Sequence, residues 1–300
     1  MRNIRTKAGP YRFSVCICTR NRPDDLHKAL RSLELSDIGV HEIIVSDDST
    51  NLLTSRLVKS KFPYVKYVVG PKRGLSANRN NAIRAVTGTH LLFIDDDVEV
   101  AADFFGTIIS ELASKENMFG GKIIVTGLEN KRGTIIYPHD QTFLGFQKRK
   151  YKDTDAIKTV VINSAVFPAA LFNEVLFDEQ LVYGYEEVDI ATRAIRRGYR
   201  IVLAKDAVNY HYPSEINRDY YKPHIATSRL YVTFKRYLFT ERNWLKAGCF
   251  LIAAFIHTML HSMKAEGGRG IGSSLRTVGG SIKYIRTYTK QNRMAVRGKL

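Results

Sequence analysis

The sequence predicts an α/β protein with a mostly parallel sheet flanked by helices, followed by a C-terminal helical extension. Three observations carry that expectation. Short apolar runs alternate with helix-spaced stretches through the first hundred residues, as in a parallel, doubly wound sheet. Each run ends in polar or acidic residues, at the place where such sheets bind ligands. Beyond Pro213 the strand signals stop and only helical spacing remains.

Phe13 to Thr19 (F-S-V-C-I-C-T) has the unbroken apolar character of a strand covered on both faces. A helix start follows. Asn21 or Arg22 stands at the cap position, Pro23 suits the first turn, and Asp24 and Asp25 favour the positive end of the helix dipole. Leu26, Ala29, Leu30 and Leu33 then share one face. Glu42 to Ser46 is a second strand, ending at Asp47-Asp48-Ser49-Thr50 and followed by a helix to about Phe62. Tyr64 to Val69 is a third strand. A polar loop, Gly70 to Asn80, feeds a helix that runs to Val86 and stops at Gly88. The fourth strand lies within T-H-L-L-F-I-D-D-D-V-E-V, where Leu91 to Ile94 run straight into Asp95, Asp96 and Asp97.

Ala102 to Lys115 reads as a helix and Gly120 to Val125 as a strand. Leu128 to Asp155 is irregular, with a basic tip from Lys148 to Lys152; such long stretches are usually lids or disordered. Thr159 to Phe167 returns to an apolar pattern. Phe177 to Tyr185 leads into E-E-V-D at 186–189 and a helix ending at Gly198. Strands follow at Arg200 to Ala204 and at Val208 to Tyr212, the second carrying His211. Ile225 to Tyr237 and Leu245 to Met263 read as helices, with a glycine-rich break at Gly267 to Gly272 and a basic helix from Ser273 to about Arg286. The expected organisation is an α/β domain over 1–215, divided near residue 100, and a basic helical extension over 216–300.

Three hundred residues, 44% hydrophobic and 25% charged, suffice for a sizeable core. The formal charge of +17 calls for an anionic partner: a phosphorylated substrate, an acidic polymer, nucleic acid or a membrane surface. From His211 to Leu300 there are 16 Lys and Arg against 4 Asp and Glu, so +12 of the +17 lies in the last 90 residues. Three cysteines make no disulfide framework. Cys16, Cys18 and Cys249 read as small core residues in a reducing compartment. With no signal peptide visible, the sequence predicts a cytosolic protein.

Adjacent carboxylates repel one another unless a cation lies between them. Asp95 to Asp97 therefore read either as a site for a hard divalent metal or as a solvated acidic turn. No G-x-G-x-x-G follows the first strand, and no G-x-x-x-x-G-K-[ST] occurs. A nucleotide here has to be held by side chains and an ion.

V-C-I-C-T-R-N-R, I-I-V-S-D-D-S-T, R-G-L-S-A-N-R-N-N and L-L-F-I-D-D-D, in this order, resemble the nucleotide-sugar half of family-2 glycosyltransferases with the GT-A fold. G-Y-E-E-V-D-I-A-T-R-A-I-R-R-G-Y-R-I is similar to the acceptor-side motif of that family, and the resemblance spans about Phe13 to Tyr212. It implies an inverting, non-processive transfer of a sugar from a nucleoside-diphosphate sugar to a saccharide or lipid-linked saccharide, with Mn²⁺ or Mg²⁺ bound. By that resemblance Asp97 is the metal ligand of the D-x-D motif, with Asp95 and Asp96 on ribose or metal. Thr19 and Arg22 line the nucleotide, and Asp47 meets the base or ribose. Arg73, Gly74 and Arg79, with Asn80, belong to the nucleotide-side loop. The plainer reading of Arg79 is an exposed helix residue.

An inverting transfer needs a base for the acceptor hydroxyl. Glu187 matches that position. Here E-E stands where the family has E-D, so Glu186 is a second candidate; Asp189 supports the helix or binds acceptor. Helix-start acids also serve simply to stabilise a helix. His211 matches a histidine that some GT-A enzymes use as a further metal or diphosphate ligand, and as a lone histidine it also reads as structural.

Leu245 to Met263 is interrupted by Lys246, His257, His261 and Ser262, which makes it a poor spanning helix. Two readings remain. One is an interfacial helix on an anionic membrane, which places the enzyme at the inner face of the cell membrane with a lipid-linked acceptor. The other is a core helix packing the tail. The absence of Q-x-x-R-W disfavours a processive synthase. A sugar nucleotidyltransferase is the rival enzyme, although its glycine-rich loop is missing. The charge, 16 Tyr and 15 Phe motivate a nucleic-acid-binding alternative. Most aromatics lie in apolar patterns, so no nucleic-acid partner is expected.

Overall fold

The computed structural model describes residues 9–151, 157–216 and 218–297. Lys152 and Asp155, which close the segment expected to be irregular, lie outside the described residues. The chain divides into two compact units. The larger comprises Met1–Asp140, Lys150–Val182 and Glu186–Arg218, the smaller Gln141–Arg149, Tyr183–Tyr185 and Asp219–Leu300.

The larger unit is built on β1 (Phe13–Thr19), every residue of which is buried. It pairs in parallel with β2 (Glu42–Asp47) and β4 (His90–Asp95), and β2 pairs in parallel with β3 (Lys66–Val69). Helices α1 (Pro23–Glu34), α2 (Leu53–Lys61) and α3 (Leu75–Ile83) make the three crossovers. Side chains alternate across the sheet. Val15 and Ile17 of β1, with Leu92 and Ile94 of β4, join Leu26, Leu30, Phe104 and Phe105 on one face. Cys16, with Leu91 and Phe93, joins Phe167, Phe172 and Ile190 on the other. Both faces are covered, which is why these strands are continuous apolar runs.

The second half of the sheet adds β5 (Val98–Glu99), β6 (Ile123–Lys131) and β7 (Thr134–Ile136), then β10 (Ala165–Pro168) and β11 (Arg200–His211). Two short strands, β8 (His139–Gln141) and β9 (Gln147–Lys150), lie outside it. The strand order is β3-β2-β1-β4-β10-β6-β11-β5, with β7 on β6. β10 runs antiparallel to both β4 and β6, whereas β11 is parallel to β6. The sheet is therefore parallel through its first four strands and mixed beyond. β10 enters from a short 3₁₀ turn at Ile162–Ser164 instead of a crossover helix, and a parallel entry requires the longer connection.

Several expectations are corrected. β6 continues to Lys131, and Thr134–Ile136 folds back on it, so the segment from Leu128 is not wholly irregular. The hairpin turns through Arg132 and Gly133, both at positive φ (49° and 89°), the conformation of a two-residue type I′ loop. The two strands expected near His211 are one, β11, with a register shift between Leu203 and Val208. α3 ends at Ile83, three residues before Val86, the expected end of the helix. The helix α4 spans Phe104–Phe119, and α5 spans Glu186–Arg196.

The smaller unit is helical. α6 (Arg218–Lys235) runs into a π-helical turn at Arg236–Thr240; α7 (Trp244–Glu266) and α8 (Gly270–Arg297) follow. The Asn243 side chain caps α7 by accepting from the Lys246 N–H at 2.9 Å. The core gathers Leu230, Phe234, Tyr237, Ala247, Phe250 and Ala254, with Leu144 and Val278 packed against it. Cys249 is exposed on α7, whereas Cys16 and Cys18 are buried. The core reading thus holds for the strand pair and fails for the third cysteine, because residue 249 falls on the helix side away from Phe250.

Candidate active site at the strand ends

The sheet order places β1 between β2 and β4, so the carboxyl ends of these strands open onto one crevice. Register fixes the neighbours: Thr19 lies opposite Asp47, and Cys18 opposite Asp95. Thr19 and Asp47 are both buried. Asp47 is engaged on both oxygens. Oδ2 accepts from the Tyr67 hydroxyl at 2.7 Å, and Oδ1 accepts from the Ser49 N–H at 2.8 Å. The loops after β1 and β2 are tied together, since Asn21 donates its N–H to Ser49 Oγ and accepts from the Thr50 N–H. Asn21 takes φ 56°, and Arg22 occupies the cap of α1 with Pro23 following.

Arg22 reaches the acid run. Its Nε donates to Asp96 Oδ2 at 3.0 Å, its Nη2 pairs with Asp96 Oδ1, and its Nη1 donates to Asp97 Oδ2 at 2.9 Å. Asp96 is fully buried. Burial pushes its carboxyl up to about 8, against the opposing pull of Arg22. Asp97 Oδ2 also accepts from the Ser214 N–H at 2.9 Å. β5 pairs with the end of β11, and this brings His211 Nε2 to 3.3 Å from Asp97 Oδ1. Burial alone would raise the Asp97 carboxyl; His211, Arg22 and the Ser214 N–H outweigh it and hold it at about 2. His211 mirrors this. Burial would lower it, but Asp97 and Glu129 bring it up to about 9.

Behind His211 stands a buried polar network that no sequence motif announces. Glu129, on β6, sits 2.7 Å from His211 Nδ1 through Oε1 and accepts from Asn163 Nδ2 at 3.0 Å through Oε2. Asn163 Oδ1 accepts the Asp95 N–H at 3.0 Å, and Asn209 donates to the Asn163 carbonyl. The backbone of the acid run and the histidine are thus oriented by the same two side chains. β6 reads I-I-V-T-G-L-E-N-K, with no alternation that would mark Glu129.

Arg79 departs from the plainer expectation, for it is 1% exposed. Nη2 pairs with Asp95 Oδ1 at 3.3 Å and Nη1 with Glu186 Oε1 at 3.0 Å, and the guanidinium lies 5.5 Å from the Phe177 ring centre. Burial works against its charge, and Glu186 with Asp95 outweighs that cost. Asn80 beside it bonds both ways with the Phe177 backbone, at 2.9 Å each. Gly74 begins α3 at φ 104°, and a Cβ there would lie 2.7 Å from Val182 Cα, so only glycine fits. Arg73 is exposed and pairs with Glu179 at 2.8 Å.

At the start of α5 the acids are differently occupied. Glu186 is buried against Arg79, and Asp189 accepts from Arg193 Nε at 2.8 Å. Glu187 is half-buried between them in sequence. Among the described residues no three His, Cys, Asp or Glu side chains converge as a ready metal cage. Asp97 Oδ1 is buried beside His211 Nε2 at 3.3 Å, and Asp95 faces Arg79. Asp97 and His211 offer one carboxylate oxygen and, once the ring is deprotonated, one imidazole nitrogen, both donor types that divalent metals accept.

Residues 14–179 match the family described as Glycosyl transferase family 2. The chain belongs to that family. This glycosyltransferase is 31% identical over 105 residues to the GalNAc(5)-diNAcBac-PP-undecaprenol beta-1,3-glucosyltransferase of Campylobacter jejuni, covering 33% of this chain and 34% of that protein. It is 30% identical over 128 residues to the uncharacterized glycosyltransferase YfnE of Bacillus subtilis, covering 41% of this chain and 31% of the relative. The matched stretch is thus about a third of the length of these curated relatives. Among solved structures, S. aureus TarS superposes with a TM-score of 0.61 at 18% identity, over 91% of this chain and 49% of the other. GalNAc-T7, solved with UDP, GalNAc and Mn²⁺, gives 0.56 at 19% identity, over 68% and 44%. These likenesses establish the GT-A fold. Membership of the family decides for a glycosyltransferase over the nucleotidyltransferase; the match ends at residue 179, before the basic tail.

Proposed function

We propose that this glycosyltransferase carries out a metal-dependent, inverting transfer from a UDP-sugar to a saccharide carried on a lipid diphosphate. The observation that carries the reading is the pairing of Asp97 with His211 at the crevice, fixed by Arg22, Ser214 and Glu129. The donor class is supported by UDP in the GalNAc-T7 structure and UDP-GlcNAc in a TarS structure, and the acceptor class by the Campylobacter relative's substrate. Asp97 and His211 would hold the ion, with His211 giving up its Nε2 proton. The ion supplies a counter-charge for the diphosphate that departs with the glycosyl bond electrons.

The remaining work falls to the chain's own residues. Thr19, Arg22 and Asp47 stand where the nucleoside is to be received, and Arg79 stiffens the floor by joining Asp95 to α5. Glu187, half-buried at the start of α5 and matching the base position of the acceptor-side motif, is the carboxylate assigned to base work. As the acceptor oxygen attacks the anomeric carbon, its proton passes to a Glu187 carboxylate oxygen and the UDP oxygen leaves with the electron pair. The enzyme works as a peripheral protein at the inner face of the cell membrane.

Replacing Glu187 with Gln tests the assignment. Transfer is expected to fall by at least 10²-fold with the KM for donor unchanged, as read by release of UDP in steady-state assays. A Glu187→Gln enzyme of parental turnover overturns it.

A further inference from the structure

α7 breaks the rule for a surface helix, which pairs an apolar inner stripe with a polar outer one. Its inner side packs through Ala247, Phe250, Ala254 and Thr258. Its outer side carries Leu245, Ile252, Phe255, Ile256, Leu260 and Met263, with Ile252 67% and Leu260 63% exposed. No Asp, Glu, Lys or Arg occurs between Lys246 and Lys264. Trp244, 70% exposed, stands at the first residue, where an amphipathic ring suits a headgroup boundary. An apolar side of this extent marks an interaction surface.

α8 shows what covers it. Ile271, Leu275 and Ile282 are exposed on one side, continuing the apolar character. Arg276, Lys283, Arg286 and Lys290 form the adjoining stripe at spacings of 7, 3 and 4 residues, all exposed. None of these four is in an ion pair among the described residues, and α8 contains no Asp or Glu. A second copy of the chain would bring two such stripes together and be repelled. An anionic bilayer complements both parts. A spanning orientation conflicts with the packed inner side, and it would draw the basic stripe of α8 through hydrocarbon.

We infer that the outward sides of α7 and α8 dock on anionic phospholipid, α7 lying flat in the headgroup–acyl boundary and the α8 stripe contacting headgroup phosphates. This rests on the peripheral-membrane reading above and names its surface. The docked helices bring the enzyme to the surface that carries lipid-linked diphosphates.

Flotation of the full chain with vesicles tests it, using phosphatidylcholine alone or mixed with phosphatidylglycerol. The parent is expected to float with the mixed vesicles, to stay down with phosphatidylcholine alone, and to be released by salt. The double substitution Ile252→Glu with Ile256→Glu is expected to abolish flotation. Lys283→Gln with Arg286→Gln is expected to weaken it by about fivefold per charge. Both variants should keep the parent's thermal shift with UDP-sugar and Mn²⁺, which shows that they fold. A parent that stays down with anionic vesicles overturns the inference, as do glutamate variants that float like the parent. So does a parent that proves to be a dimer split by those glutamates. Flotation without donor binding would leave the surface standing and remove the proposed function; donor binding without flotation does the reverse.

Discussion

Asp97 is held by three different kinds of partner: a guanidinium from the cap of α1, a backbone N–H after β11, and an imidazole from the end of β11. The imidazole is itself aimed by Glu129, whose second oxygen is taken by Asn163. A carboxylate on the far nitrogen fixes the ring and raises its basicity as a ligand. Glu129→Gln is therefore expected to weaken Mn²⁺ binding by about 10–100-fold, read by the loss of free-ion signal in electron paramagnetic resonance titrations. Unchanged affinity would make Glu129 a support of the fold alone. The candidate residues were legible because side chains after strand ends are constrained by chemistry as well as by folding. Glu129, Asn163 and Asn209 were not, because each acts through a neighbour fixed only by tertiary register. Arg79 shows the converse. Its motif was legible, but its burial between Asp95 and Glu186 depends on α5, over a hundred residues away in sequence.

At the scale of elements, the first four strands follow from local pattern because parallel crossovers bury both faces and leave unbroken apolar runs. The later strands are weaker signals because β5, β7 and β10 are only two to four residues long and β11 alternates between buried and exposed positions. β7 escapes because an Arg-Gly pair makes its turn where Asn-Gly would have advertised one. One polar anchor binds the parallel half together. Glu42 on β2 accepts from Ser14 of β1, from Lys66 of β3 at 2.5 Å, and from the Thr87 N–H before β4. Its side chain is 8% exposed. Burial would raise its pKa, but Lys66, Ser14 and Thr87 outweigh that and hold the carboxyl at about 2, below its ordinary 4.5. The unfolded chain binds this proton more readily, so the contribution is complete above pH 4.5 and is lost as pH falls toward 2. Glu42→Gln is expected to cost about 1.5–3 kcal/mol at neutral pH in urea unfolding. The gap between parent and variant should close across that acid window; a pH-independent gap would show that the charge is not what matters.

For the whole molecule, the strand ends around Asp97 and the apolar helices answer to different physics and so can be perturbed separately. Much of the net charge of +17 lies in the C-terminal third, away in sequence from the carboxylates of the acid run. Ligand binding reports on the first alone, because a donor that binds only the native state stabilises it by mass action. At a hundred times its Kd, UDP-sugar with Mn²⁺ is expected to add about 2.7 kcal/mol to unfolding. Asp97→Ala should lose most of that gain, since it removes an ion ligand and leaves Arg22 and His211 without one shared carboxylate. Glu187→Gln should keep it, since the base acts on the acceptor. Chemical denaturation with and without donor separates the two variants without any transfer assay. An Asp97→Ala protein stabilised as fully as the parent would show that the donor is held without the ion. The acid run after β4 would then be an element of structure, with Arg22 its reason for being buried.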